Sequence, residues 1–126
     1  MDAWRWMTAT DLGAGIAAGE IDPVALTEVY LAAIDGHVHR DRIYVRVTHD
    51  RARAEARAAS IRAKENRRLS ALDGVPISWK DLFDTAGVVT EAGTKLLEGR
   101  TPDTDALVLQ RATQAGLVCL GKTHMS

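Results

Sequence analysis

The segment at residues 72–81 constrains the fold of this chain more than any other part of its sequence. Its Asp-Gly pair is a turn signal. Pro76 has no N–H to donate, so it fits only the first residues or the edge of a strand. The alternation that follows places apolar side chains on one face of the predicted strand and Ser78 and Lys80 on the other. The segment therefore predicts a short buried strand that ends by presenting a lysine.

Lys80 is a candidate general base, although most lysines at strand ends are solvated or ion-paired. A lysine carried on a largely apolar strand is costly to keep charged, so we expect such a lysine to lose its proton readily. A lysine that is neutral near pH 7 can act as a general base. Asp81 and Asp84 are available ion-pair partners, although Asp81 is expected on the opposite face. Ser78 shares the face of Lys80, but residues two apart in a strand are roughly 6.6 Å apart along the chain, so we interpret it as a packing residue.

Hydrophobic periodicity and capping residues predict an α/β chain, with helices covering a sheet. The first predicted helix covers residues 8–18 with Thr8 as its cap, and the second runs from its Asp22 cap to the stop at Gly36. A third runs from Thr48 or Asp50 to about Asn66, and a fourth covers residues 104–115 with a cap at Thr104 or Asp103. The predicted strands cover residues 43–47, 74–81 and 117–120. The last of these is continuously apolar, which is typical of a strand covered on both faces in a parallel sheet.

Composition narrows the function classes. The net charge of −1 gives no overall case for binding nucleic acid or an anionic membrane. The only cysteine, Cys119, excludes an internal disulfide, suits a reducing compartment, and is interpreted as a small buried hydrophobe. No apolar run approaches the roughly 20 residues needed to span a bilayer. The first residues lack the apolar region of a secretion signal, so we expect a cytoplasmic protein.

The segment at residues 74–81 resembles the start of the amidase signature family. The resemblance continues through residues 84–87, 92–97, 101–106 and 115–123. It implies an amide (C–N bond) hydrolase that works without cofactor or metal, using a serine nucleophile, a second serine in a cis peptide, and a lysine base. The lysine of the family's "PIxVKD" segment falls on Lys80. The implied fold is the N-terminal part of the amidase fold, a mixed sheet covered by helices, and residues 1–126 are interpreted as the N-terminal portion of one amidase domain.

The serines of this chain do not supply the nucleophile or the cis-serine that the resemblance implies. The chain contains four, Ser60, Ser70, Ser78 and Ser126, and none lies in a Gly-Ser-Ser-Gly context. Nothing in the sequence equips Ser126 as a nucleophile. We therefore expect the 126-residue chain to be inactive alone, with the small-molecule amide substrate bound only by the complete enzyme.

Two alternatives stay open. The chain could belong to the A subunit of a tRNA-dependent amidotransferase, or it could be a non-catalytic binding module that pairs with another chain. An incomplete sheet has an open edge, so we expect self-association or a partner chain that completes the sheet.

Three further motifs are assigned to structure. Residues 116–123 match the phosphate-binding pattern G-x-x-x-x-G-K-T, but the four variable positions are Leu, Val, Cys and Leu, which predict a strand closed by Lys122 and Thr123. Residues 50–68 carry seven basic and three acidic side chains without interleaved aromatic residues, which favours a solvated helix face over a nucleic-acid site. The His37-Val38-His39 segment lacks further ligands at a recognised metal spacing.

Overall fold

The computed structural model describes residues 1–125, and within them three strands form one sheet that is covered by helices. The helices are α1 (Ala9–Ala17), α2 (Pro23–Asp35), α3 (Arg40–Ile43), α4 (His49–Lys64) and α5 (Leu107–Gln114), preceded by a short 3₁₀ helix at Asp2–Trp6. The strands are β1 (Tyr44–Val47), β2 (Pro76–Lys80) and β3 (Val118–Thr123). No helix among these residues is long and apolar enough to cross a membrane.

Local signals place the helix ends where the sequence predicts them. The hydroxyl of Thr8 accepts a hydrogen bond from the Asp11 N–H at the start of α1, and the Asp22 carboxylate accepts one from Val24 at the start of α2. Both are N-caps that satisfy otherwise unpaired backbone donors. In α4 the small side chains Ala52, Ala56 and Ala59 are buried, which allows this helix to pack closely on the sheet.

The sheet is mixed, as predicted. Its strand order is β1-β3-β2, with β2 parallel to β3 and β1 antiparallel to β3. The β2–β3 register shifts between Ile77 and Ser78, because Ile77 pairs with Cys119 and Ser78 pairs with Gly121. This β-bulge leaves one extra residue in β3 and so changes which face the following side chains point to.

The central strand β3 is buried on both faces, as its apolar run predicts. One face carries Val118 and Leu120, which pack with buried side chains of α2 and α4. On the other face, Cys119 packs with Trp79 and with Leu109 of α5. Cys119 is therefore a small buried side chain, and burial raises the pKa of its thiol.

Three details differ from the predicted elements. The cap predicted at Thr104 or Asp103 is wrong, because α5 begins at Leu107 and follows Ala106, whose side chain cannot accept a hydrogen bond. Just before α5, the Asp105 carboxylate accepts two hydrogen bonds of 2.9 Å from the Arg51 guanidinium group. The 3₁₀ helix and α3 were not predicted from the sequence pattern, and β3 extends from the predicted apolar run through Thr123.

Candidate active site

Lys80 is the last residue of β2 and pairs with Thr123 of β3. The predicted alternation is confirmed, because Trp79 is buried in the α5-facing core with 9% exposure. Within the described chain, however, the Lys80 side chain is exposed. The expectation that Lys80 lies in a dry environment is therefore wrong for the described residues.

A pair of hydroxyl groups lies on the face of Lys80. Ser78 Oγ and Tyr44 Oη share a hydrogen bond of 2.6 Å, so the Tyr44 side chain reaches from β1 across β3 to β2. The residue of β3 that pairs with Ser78 is Gly121. A Cβ atom at Gly121 would lie 3.2 Å from Tyr44 Cδ1 and 2.5 Å from the carbonyl oxygen of Arg46. A glycine is therefore needed where the tyrosine crosses, and the Ser78 side chain contacts Tyr44.

The buried lysine of this sheet is Lys122, which the sequence analysis assigned only to closing the strand. Its side chain is completely buried on the face opposite Lys80. Nζ donates to the carbonyl oxygen of Phe83 at 2.8 Å, to Thr90 Oγ1 at 3.1 Å and to Asp81 Oδ1 at 3.4 Å. An ammonium group has three N–H donors, so these acceptors match its capacity.

The β-bulge explains how Lys122 reaches this position. Residues two apart in a regular strand share a face, so Lys122 would lie on the face of Leu120 if β3 were regular. The register shift instead pairs Lys122 with Trp79, whose side chain points to the core beneath α5. Burial there lowers the pKa of Lys122, and the charge of Asp81 opposes this shift without cancelling it.

Asp81 connects the buried network to the loop that follows β2. Its backbone N–H donates to the carbonyl oxygen of Thr123 at 2.8 Å, and its carbonyl oxygen accepts from Ala92 at 3.0 Å. Its carboxylate accepts from the Glu91 N–H at 3.2 Å through Oδ2, while Oδ1 faces Lys122. The prediction that Asp81 points away from Lys80 is confirmed, and Asp84 is paired with Arg100.

The remaining motifs have structural roles. In the basic segment at residues 50–68, arginines form ion pairs, namely Arg51 with Asp105, Arg53 with Glu28, and Arg62 with Asp73. The G-x-x-x-x-G-K-T match lies in β3, where the Val118 N–H donates to Val75, and it is thus a strand as predicted. Among residues 1–125 no group of three or more His, Cys, Asp or Glu side chains could hold a metal ion. Ser126 lies outside the described residues.

Comparison with known proteins decides the family, because the family model for amidases matches residues 25–126. The chain belongs to the amidase family. The A subunit of the glutamyl-tRNA(Gln) amidotransferase from Anaeromyxobacter sp. (strain K) is 46% identical to this amidase-family chain over 115 residues, which are 91% of the chain and 23% of that relative.

Solved amidase structures share the fold of this amidase-family chain. Native peptide amidase from Stenotrophomonas maltophilia matches it with a TM-score of 0.87 at 35% identity, over 100% of the chain and 26% of that enzyme. A structure of a vestigial protein complex that reveals the origins of an s-triazine catabolic enzyme matches with a TM-score of 0.86 at 34% identity, over 95% and 26% of the two chains. The chain thus spans about a quarter of the length of the relatives it matches.

Proposed function

We propose that the protein to which these residues belong cleaves amide C–N bonds by acyl transfer, with Lys80 as the general base. The observation that carries the proposal is the position of Lys80 at the end of β2, within the segment that matches the family. The side chain is exposed there, beside the Ser78–Tyr44 hydroxyl pair, where it is accessible to a reacting group. A general base must reach the proton that it removes, so this exposure supports the assignment.

The chemistry follows the family mechanism. A nucleophilic serine attacks the amide carbonyl carbon, and its proton passes through the cis-serine to the amine of Lys80, the general base. The tetrahedral intermediate collapses with loss of the amine, which takes up a proton, and water then releases the acid from the acyl-enzyme. This chain supplies Lys80 to that sequence of steps. The two serines belong to a Gly/Ser-rich loop that residues 1–126 do not contain.

The test is substitution of Lys80 in the complete gene product. Lys80→Met should lower kcat/KM for amide hydrolysis by about 10²- to 10⁴-fold, which is the usual contribution of a general base. Lys64→Met is the matched control, because Lys64 is an exposed lysine at the end of α4. Equal activity of the two variants would refute the assignment of Lys80.

A second candidate function is supported by the 46% identity to the A subunit of a glutamyl-tRNA(Gln) amidotransferase. In that case we propose that the protein generates ammonia for amidation of a mischarged tRNA and works with partner chains. The two functions are separated by assaying the purified gene product, alone and with its co-purifying chains, for conversion of Glu-tRNA(Gln) and for hydrolysis of free amides. Under either function we propose a cytoplasmic location, which cell fractionation tests.

We also propose that residues 1–126 are the N-terminal portion of one amidase domain. In the described residues β1 and β2 are the outer strands of the sheet, so each leaves one edge without a strand partner. Such edges pair readily with other chains. The 126-residue chain alone should therefore self-associate or require a partner, and light scattering after size exclusion should show species larger than 13.7 kDa. A strictly monomeric sample with cooperative thermal unfolding would contradict this.

A further inference from the structure

We propose that Lys122 is a positioning residue for Lys80, and that it acts by anchoring Asp81 on the opposite face of the sheet. The inference rests on the proposed function, because it assigns Lys80 a task that requires a defined orientation. Lys122 is separated from the exposed face by the sheet itself, so it does not contact a substrate bound there. Its effect must pass through the residue next to Lys80.

The hydrogen-bond network around Lys122 is buried. Lys122 and Asp81 are almost completely inaccessible to water, and Thr90, which also binds the ammonium group, is 1% exposed. Thr90 Oγ1 in turn donates to the carbonyl oxygen of Val88 at 3.0 Å. Buried polar groups that are fully hydrogen-bonded hold a local structure in one arrangement. Hydrogen bonds at residues 83, 88 and 90 therefore fix the conformation of the loop after β2.

Asp81 connects this network to Lys80, its neighbour in the chain. Successive residues of a strand point to opposite faces, so a side chain fixed on one face sets the direction of its neighbour. Asp81 continues the ladder beyond β2, since its N–H binds the Thr123 carbonyl oxygen at 2.8 Å. Its carboxylate is fixed by Lys122 on the α5 side. Lys80, paired with Thr123, must then point to the opposite face.

Asp81 is held by residues that are distant from it in the sequence. Two of its contacts come from residues about ten positions later, Glu91 and Ala92, and one comes from Lys122. Loss of Lys122 leaves the carboxylate buried without its cation, which is strongly unfavourable. Asp81 should then turn toward water and rotate the end of β2. A group that is misplaced by about 1 Å from its productive geometry can lose on the order of 10²-fold in rate.

The experiment measures Lys80 directly in the complete gene product. Trace acetic anhydride is applied over a range of pH, and the rate of Lys80 acetylation is measured by mass spectrometry in wild-type, Lys122→Met and Arg62→Met proteins. Arg62→Met is the matched control, because it also removes the cation from a buried carboxylate, that of Asp73, but lies before β2. All samples are kept well below their unfolding temperatures, and kcat/KM is measured in parallel.

A positioning role predicts that Lys122→Met changes the Lys80 acetylation rate by about threefold or more, lowers kcat with little change in KM, and that Arg62→Met does neither. If Lys122→Met does not fold, Thr90→Val decides by the same readout, because it keeps the charges and removes one acceptor. Unchanged acetylation in a folded variant overturns the proposal. The two proposals can fail separately. If the wild-type protein has no amidase activity but Lys122→Met still changes the acetylation rate of Lys80, the proposed function is refuted and the positioning of Lys80 by Lys122 is supported.

Discussion

Lys122 and Asp81 form a buried ion pair in which Nζ lies 3.4 Å from Oδ1 and the side chains are 0% and 3% exposed. The distance is long for a charge-assisted hydrogen bond. The shorter contact of the ammonium group is with the carbonyl oxygen of Phe83, at 2.8 Å. The pair is thus one part of a network that joins β3 to the loop after β2, and the consequences of breaking it follow from this geometry.

Removing the carboxylate should destabilise the protein strongly. Asp81→Ala leaves the Lys122 ammonium group buried without its counter-charge, and breaking a buried pair on one side costs about 3–5 kcal/mol. Urea unfolding of the complete gene product measures the loss in the free energy of unfolding. Asp84→Ala is the control, because its ion pair with Arg100 lies at the surface and should matter much less. Equal losses for the two variants would contradict the buried network.

The titration of Lys122 should contribute to the pH dependence of the free energy of unfolding. Burial lowers its pKa in the folded protein below the ordinary value of 10.5. Between the lowered value and 10.5 the unfolded chain binds more protons than the folded chain, so stability from this group rises with pH in that window. Below the lowered pKa the contribution is constant.

The measurement compares wild-type and Lys122→Met proteins by urea unfolding between neutral and alkaline pH. The difference in the free energy of unfolding should shift in favour of the wild type as pH rises toward 10.5. Titrations shared by both proteins cancel in this difference. A difference that moves in favour of the variant over the same range would show that Asp81 outweighs burial.

Gly121 should not tolerate a side chain. In Gly121→Ala the new Cβ would lie 2.5 Å from the backbone oxygen of Arg46, which cannot move without disturbing the β1–β3 ladder. Overpacking of this kind costs about 1–3 kcal/mol. Gly36→Ala is the control, since its nearest contact would be 3.2 Å and its φ of −88° suits any residue. Thermal unfolding of both variants checks the difference, and similar unfolding temperatures would contradict it.

Local sequence signals predicted much of the fold. Thr8 and Asp22 cap the helices that follow them, and both caps depend only on neighbouring residues. The alternation in β2 predicted that Lys80 and Asp81 point to opposite faces, because the period of a strand is fixed by its backbone. The continuous apolar run of β3 predicted burial on both faces.

Features set by distant residues were not predictable in this way. Lys122 is buried because a bulge turns it toward Phe83 and Thr90, which lie more than 30 positions earlier in the sequence. The start of α5 was placed too early, and the bidentate pair between Asp105 and Arg51, which lies 54 positions earlier, was not visible in the local sequence. A single sequence contains the residue types for these contacts but no measure of which of them meet. In the sequence, Lys122 stood out only as part of the G-x-x-x-x-G-K-T match. That match does not indicate phosphate binding here, because its residues form strand β3.

The hydroxyl pair beside Lys80 offers a test of the exposed face. Tyr44 Oη and Ser78 Oγ are 2.6 Å apart, so one hydroxyl donates a hydrogen bond to the other across the width of β3. Tyr44→Phe, Ser78→Ala and the double variant form a double-mutant cycle on the free energy of unfolding. We expect the two positions to be coupled by about 1 kcal/mol, the net value of an intramolecular hydrogen bond. Losses that add within about 0.3–0.5 kcal/mol would show that the hydroxyls contribute independently and that the crossing over Gly121 is held by the tyrosine ring alone.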